Sequence, residues 1–344
     1  MITAGYALMH FFVDFICAWA VFHAFRDGPG GYWNLLVYNF CAFALQMPLG
    51  ALLDLARGSV VQGKRRWLAF VWSCLGTALT LVGALLHPAV LGTGNALFHV
   101  GGGMDVIQED FRRNRKGSAL GLFVAPGALG LYLGTRLGKS GTGMILLVIP
   151  ALFLAALLIV IFRNKRGVLE PAAIPAKPGT KIPALVLYCF LVVVLRSWVG
   201  LAVTFPWKEQ PLLGLLSVVC VAGGKVLGGV ASARWGIERT VKWSLLLATC
   251  CYLLGEIPGF GLGALVLFNM SMPVTLYLLA VNLPGLYGFS FGLLTFGLFL
   301  GFLPVYASLE LPVSGRLLGM AGSLASLVLL TAAGKAADND RICV

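Results

Sequence analysis

Leu91 to Gly103 reads LGTGNALFHVGGG, a glycine-laced apolar stretch with one histidine, His99, at its centre. By position it belongs to the fourth of twelve runs, each long enough to cross a membrane as a helix. The second half of the chain repeats its rhythm. Leu97-Phe98-His99 is echoed by Leu267-Phe268-Asn269, and Gly121-Leu122-Phe123 by Gly292-Leu293-Leu294. A parallel repeat of this length in a hydrophobic chain implies two matched halves.

Composition fits that reading. Of 344 residues, 59% are hydrophobic and 11% charged, and the mean hydropathy is +0.92. Soluble domains carry roughly a quarter charged residues, so this chain is not built to face water. Its 44 glycines would loosen a soluble core, but between membrane helices they allow backbones to approach closely. The net charge of +12 could suggest a nucleic-acid partner, yet the cations sit where membrane topology needs them, and no nucleic acid is expected. The eight cysteines, Cys250-Cys251 among them, lie almost all within apolar runs and form no CxxC pair. They read as small buried hydrophobes, and no metal site is expected from them. The first apolar run starts at once, without a basic leader, and reads as a retained helix.

Apolar spans are expected at 4–25, 32–56, 67–86, 88–107, 118–137, 142–162, 183–204, 211–233, 240–259, 261–281, 285–306 and 316–336, with ten spans as the alternative. Alternate connections are basic. One set holds the groups around Arg57 and Lys64, around Arg112 and Lys116, then Arg163, Lys165, Arg166, Lys177 and Lys181, and the group around Arg234 and Lys242, with Lys335 and Arg341 in the tail. These make eighteen cations, against Arg26, Arg136, Lys139, Lys208 and Arg316 on the other side. The positive-inside rule then places both termini in the cytoplasm of a multi-pass cell-membrane protein. The longest connection, from Arg163 to Pro183, is rich in proline and lysine and reads as an irregular linker. It gives a six-helix bundle at 1–163, a cytoplasmic linker at 164–182 and a second bundle at 183–344.

Between the second and third spans stand Pro48-Leu49-Gly50-Ala51-Leu52-Leu53-Asp54-Leu55-Ala56-Arg57-Gly58 and then Gly63-Lys64-Arg65-Arg66. This resembles the loop signature of the major facilitator superfamily: a glycine, an aspartate four residues on, then glycine and basic residues. Gly50 permits tight helix contact, and Asp54 can pair with an arginine such as Arg57 or face a helix N-terminus, a latch on one conformation. Gly228 to Gly236 is a decayed copy with Ser232 or Ala233 in the aspartate's place. The fifth span, GSALGLFVAPGALGLYLG from Gly117, resembles the proline-glycine helix of exporters in that superfamily, with Pro126 as a bend. Gly92, Gly94, Asn95, Ala96, Leu97, Phe98 and His99 resemble the fosmidomycin-resistance branch, although Val100 and Gly101 depart from its pattern. These resemblances imply an all-α polytopic membrane protein of the major facilitator fold, twelve helices in two pseudo-symmetric bundles.

In that fold the first, fourth, seventh and tenth spans line a central cavity. Near mid-depth they carry Asp14, His99, Arg196 and Asn269. Charged side chains at a helix centre cost at least ~2.5 kcal/mol on insertion scales and rarely face lipid. One polar residue on each of four equivalent helices therefore suggests a shared chamber. His10 lies one turn before Asp14 on the same face, and a carboxylate beside an imidazole can exchange protons at physiological pH. Asp14 and His10 are the proton-coupling candidates. Arg196, with its two-pronged grip on a carboxylate or phosphonate, leads the substrate contacts, joined by His99, Lys225, Asn269, Asn39, Gln46 and Tyr132.

The expectation is a secondary transporter of a small anionic or zwitterionic molecule, proton-coupled, by alternating access, with export slightly favoured. No cofactor or enzymatic activity is expected, and the chain is expected to act as a monomer. Sodium coupling, import and ten spans remain open. A lipid flippase on the same fold is one alternative. A membrane transferase is another, disfavoured because the acids are scattered and the histidines lie in separate spans.

Overall fold

The computed structural model describes residues 1–26, 30–60, 62–165, 181–309 and 313–337. Most of the expected linker at 164–182 lies outside them, as do Arg166, Lys177, Glu310 and Arg341. The described residues hold no strand. Their helices form twelve spans: α1 (Ile2–Phe25), α2 (Gly31–Ser59), α3 (Lys64–Leu86), α4 (Pro88–Arg112), α5 (Ser118–Lys139), α6 (Met144–Lys165), α7 (Ile182–Ala202), α8 (Pro211–Trp235), α9 (Ile237–Leu253), α10 (Pro258–Asn282), α11 (Tyr287–Tyr306) and α12 (Gly315–Ala336).

Ten of these are long and apolar enough to cross a membrane. The other two fall short for opposite reasons. α9 has only 17 residues. α4 has 25, but dilutes its hydropathy with buried Asn95, His99, Asp105, Gln108, Glu109 and Asp110. α9 also ends earlier than its apolar sequence suggests. In the turn that follows, Leu254 and Ile257 are exposed, and Gly255 alone is packed: Trp207 Nε1 donates to its carbonyl (2.8 Å), and the Phe205 ring lies against it.

Proline sets the punctuation. Pro88, Pro211 and Pro258 occupy first turns, where a missing N–H is harmless. In α5 and α10 a mid-span proline breaks the ladder, because its ring clashes with the carbonyl four residues back, whereas α11 runs on through Pro304. α5 is therefore split into Ser118–Val124 and Pro126–Lys139. α10 is split at Met270, between Pro258–Asn269 and Ser271–Asn282, with Pro273 just beyond the break.

The helices form two compact units. The first contains 1–114, 122–172 and 285–296, and the second 115–121, 173–284 and 297–344. In the first, α1 is the hub, with Tyr6, Met9, Val13, Ile16 and Trp19 fully buried. The glycine stripe of α5 explains its closeness to α1: a Cβ at Gly130, Gly134 or Gly138 would press on the carbonyls of Phe11, Phe15 and Trp19. In the second unit, α8 lies equally close to α10, and Tyr252 and Phe268 pack edge to face in the core.

Candidate functional site

The first unit brings three ionisable side chains into one buried cluster. His10 and Asp14 stand four residues apart on α1, so one helical turn places them on the same face. His10 Nε2 lies 3.1 Å from Asp14 Oδ2. His99, on α4, joins them with its Nε2 2.9 Å from His10 Nε2 and 3.6 Å from Asp14 Oδ1. The two imidazole rings are perpendicular, at 89°, with centroids 4.3 Å apart. All three residues are buried.

The surrounding shell orients each group. His10 Nδ1 donates to the Phe123 carbonyl (2.9 Å). Phe123 sits in the last turn before the Pro126 break, where carbonyls lose their partners within the helix. His99 Nδ1 donates to the Asn95 carbonyl one turn earlier (2.8 Å). Asn95 Nδ2 donates to Asp14 Oδ1 (3.1 Å) and lies 3.5 Å from Cys17 Sγ, while Tyr38 stands beside Cys17. Asn95 Oδ1 is buried without a hydrogen-bond partner among the described residues. Gly127 closes the cluster from α5: a Cβ there would overlap His10 Nε2 and Asp14 Oδ2.

Asn95, Cys17 and Tyr38 had no assigned role in the sequence reading. Asn95 carried a readable signal, since it precedes His99 by four residues on the same helix. The expectation that the histidines stand apart because they lie in separate spans does not hold for His10 and His99. His10 and His99 are far apart in sequence and adjacent in space. Lys165 is corrected as well. It is not a loop cation but is buried, pairing with Asp105, whose Oδ2 also accepts from Tyr6 Oη (2.7 Å).

The second unit holds the other principal candidates. Arg196, on α7, is 8% exposed, and its Nε has no hydrogen-bond partner among the described residues. Asn269, at the α10 break, is buried and donates from Nδ2 to the Leu265 carbonyl (2.9 Å). Lys225 is half-buried on α8. The remaining polar candidates lie on α2 and α5. Asn39 is half-buried and donates to the Leu35 carbonyl (2.8 Å). Gln46 is buried, donates to the Ala42 carbonyl (2.6 Å) and leaves Oε1 without a partner among the described residues. The Tyr132 ring lies 5.7 Å from the Arg136 guanidinium, outside the histidine cluster.

Of the gating candidates, Gly50, Asp54 and Arg57 lie on α2, and Pro126 lies at the α5 break. Both Asp54 oxygens accept from the start of α11, Oδ1 from the Gly288 N–H (3.0 Å) and Oδ2 from the Phe289 N–H (2.7 Å). A carboxylate there satisfies orphan donors and faces the positive end of the helix. Gly50 makes the approach possible, since a Cβ would overlap the Gly288 carbonyl. Arg57, three residues after Asp54, adds a favourable charge interaction.

No protein-family model matches the chain, and no curated protein does. Solved structures do. An Escherichia coli fucose:proton symporter aligns over 96% of this chain and 98% of its own, at 16% identity and a TM-score of 0.58. The same symporter in an outward conformation gives 14% identity and 0.59, covering 96% and 99%. The human organic anion transporter MFSD10 gives 17% identity and a TM-score of 0.62, covering 95% and 99%. The fold is that of the major facilitator superfamily. In major facilitator terms, the histidine cluster joins the first and fourth helices, Arg196 stands on the seventh and Asn269 on the tenth.

Proposed function

We propose that the chain is a secondary active transporter that moves a small anionic or zwitterionic organic molecule across the cytoplasmic membrane. It works by alternating access between two six-helix bundles, joined by the linker at 164–182, with both termini in the cytoplasm. Protons drive it through Asp14 and His10, and export is favoured by the resemblance to fosmidomycin-resistance exporters. The observation that carries this reading is Arg196, a buried guanidinium whose Nε finds no partner among the described residues. Such a group is costly to leave unmade, and a ligand carboxylate or phosphonate would satisfy it with two parallel bonds. Lys225 adds positive charge, and Asn269, Asn39, Gln46 and Tyr132 supply neutral contacts. His99 contributes both to the proton site and to the substrate side.

The solved neighbours give this reading analogical support, one being named for protons and another for organic anions. Asp54, Arg57, Gly50 and Pro126 supply the gate: a latch at the start of α11 and a bend in α5. The test begins with purified chain, screened by thermal unfolding against a panel of organic anions and lipids. At least one anion should raise the unfolding temperature of wild type and leave Arg196→Ala unmoved, while both proteins elute as folded monomers. Stabilisation by lipids alone would sink the anion reading in favour of a flippase. An anion that stabilises Arg196→Ala equally would remove Arg196 from the site.

A further inference from the structure

Both imidazoles of the α1–α4 cluster are held in the same tautomer. Each Nδ1 faces a backbone carbonyl, Phe123 for His10 and Asn95 for His99. A carbonyl only accepts, so each Nδ1 carries the hydrogen and each Nε2 of a neutral ring presents a lone pair. The two Nε2 atoms lie 2.9 Å apart, and the Asp14 oxygens stand 3.1 and 3.6 Å from them. Two imidazole nitrogens and the two oxygens of one carboxylate therefore converge in a buried place. Such a set favours a cation at its centre. One proton can bridge two of the three groups at a time, whereas a divalent metal ion engages all three.

The donor set specifies which ion. Two imidazole nitrogens and one carboxylate suit first-row transition metals, not the all-oxygen preference of calcium or magnesium. At the ~2.0–2.2 Å bond lengths of such sites, the observed separations subtend about 90° to about 120° at the ion. The outer shell is also that of a metal site. Each ligand histidine donates its other N–H to a carbonyl, and Asn95 Nδ2 fixes the carboxylate. Asn95 Oδ1, buried and without a partner among the described residues, offers a further acceptor beside it. Three protein ligands leave coordination positions open, the arrangement of an exchangeable ion and not of a closed structural one.

We infer that His10, Asp14 and His99 bind one divalent transition-metal ion of the zinc, cobalt or nickel class. The inference rests on the reading of this cluster as the chain's cation site, with metal and coupling proton as mutually exclusive occupants. The whole site lies within the first compact unit.

The test uses full-length chain purified without a histidine tag and stripped of metal with EDTA. Titrated with Zn²⁺ in a calorimeter, wild type should bind one equivalent per chain, and Co²⁺ should give a visible absorption band that Zn²⁺ displaces. His99→Gln and Asp14→Asn should each weaken binding at least about tenfold, a conservative figure for losing a ligand when outer-shell partners alone are worth 10–100-fold. His23→Ala and His87→Ala should leave it unchanged. Should the ligand variants fail to fold, X-ray absorption of the Zn²⁺-loaded wild type must still show two imidazoles around the metal. Absence of saturable binding, binding that survives His99→Gln, or a first shell without imidazole overturns the inference. Transport driven by a pH gradient in EDTA-treated vesicles separates the two readings. Its persistence without metal binding defeats only the metal site, and metal binding without any pH-gradient dependence defeats only proton coupling.

Discussion

Gly127 decides by the absence of one carbon whether His10 and Asp14 keep their places. A methyl group there would overlap the imidazole Nε2 and a carboxylate oxygen. Overpacking a close-fitted site costs about 1–3 kcal/mol. Gly127→Ala should therefore lower the unfolding temperature by a few degrees and reduce transport, measured as substrate uptake into vesicles, while Gly223→Ala, where a Cβ meets open space, should leave both unchanged. Transport undiminished in Gly127→Ala would mean that Gly127 serves helix packing alone. The pairing of His10 with Asp14 is legible in the sequence because four-residue spacing on a helix fixes it. The arrival of His99 is not, because the register of α1 against α4 is set by tertiary packing. Lys165 shows the same limit. Its position beside a run of cations suggested a loop, and only the fold reveals Asp105 and Tyr6 waiting for it.

At the scale of the element, Asp54 ties α2 to the first turn of α11. Asp54→Ala leaves the Gly288 and Phe289 N–H groups without their acceptor, at a cost of about 1–3 kcal/mol for unsatisfied buried donors. The variant should unfold at a lower temperature than wild type, and Asp54→Asn should fall between them because its amide retains one acceptor oxygen. An unchanged unfolding temperature in Asp54→Ala would show that water replaces the carboxylate there. The spans themselves were readable from hydropathy, with most boundaries within a few residues. The end of α9 was misjudged because the exposed Leu254 and Ile257 of the following turn read as a continuation of its apolar run. The polar inner face of α4 is the converse. Its six buried polar residues obscure a span that the glycine-rich stretch around His99 nonetheless announces.

On the scale of the whole molecule, the repeat of Leu97-Phe98-His99 in Leu267-Phe268-Asn269 foretold the architecture, and the solved structures share it over nearly the full chain. The buried polar residues Asp14, His99, Arg196 and Asn269 were legible because polar groups stand out against apolar helices; their neighbours were not, since Asn95, Cys17 and the Phe123 carbonyl gain meaning only through proximity. The proposed orientation rests on the charge asymmetry of the connections. Reporter fusions at both termini should respond as cytoplasmic, and an extracellular signal from either would reverse the proposed topology.

The central claim is that a proton held by Asp14 and His10 accompanies an organic anion through this fold. The direct measurement is proton flux in vesicles containing the purified chain and a pH-sensitive dye, started by adding an anion found in the thermal screen. The account predicts anion-dependent proton movement in wild type, and anion exchange without proton movement in Asp14→Asn. Proton flux that persists undiminished in Asp14→Asn would contradict it.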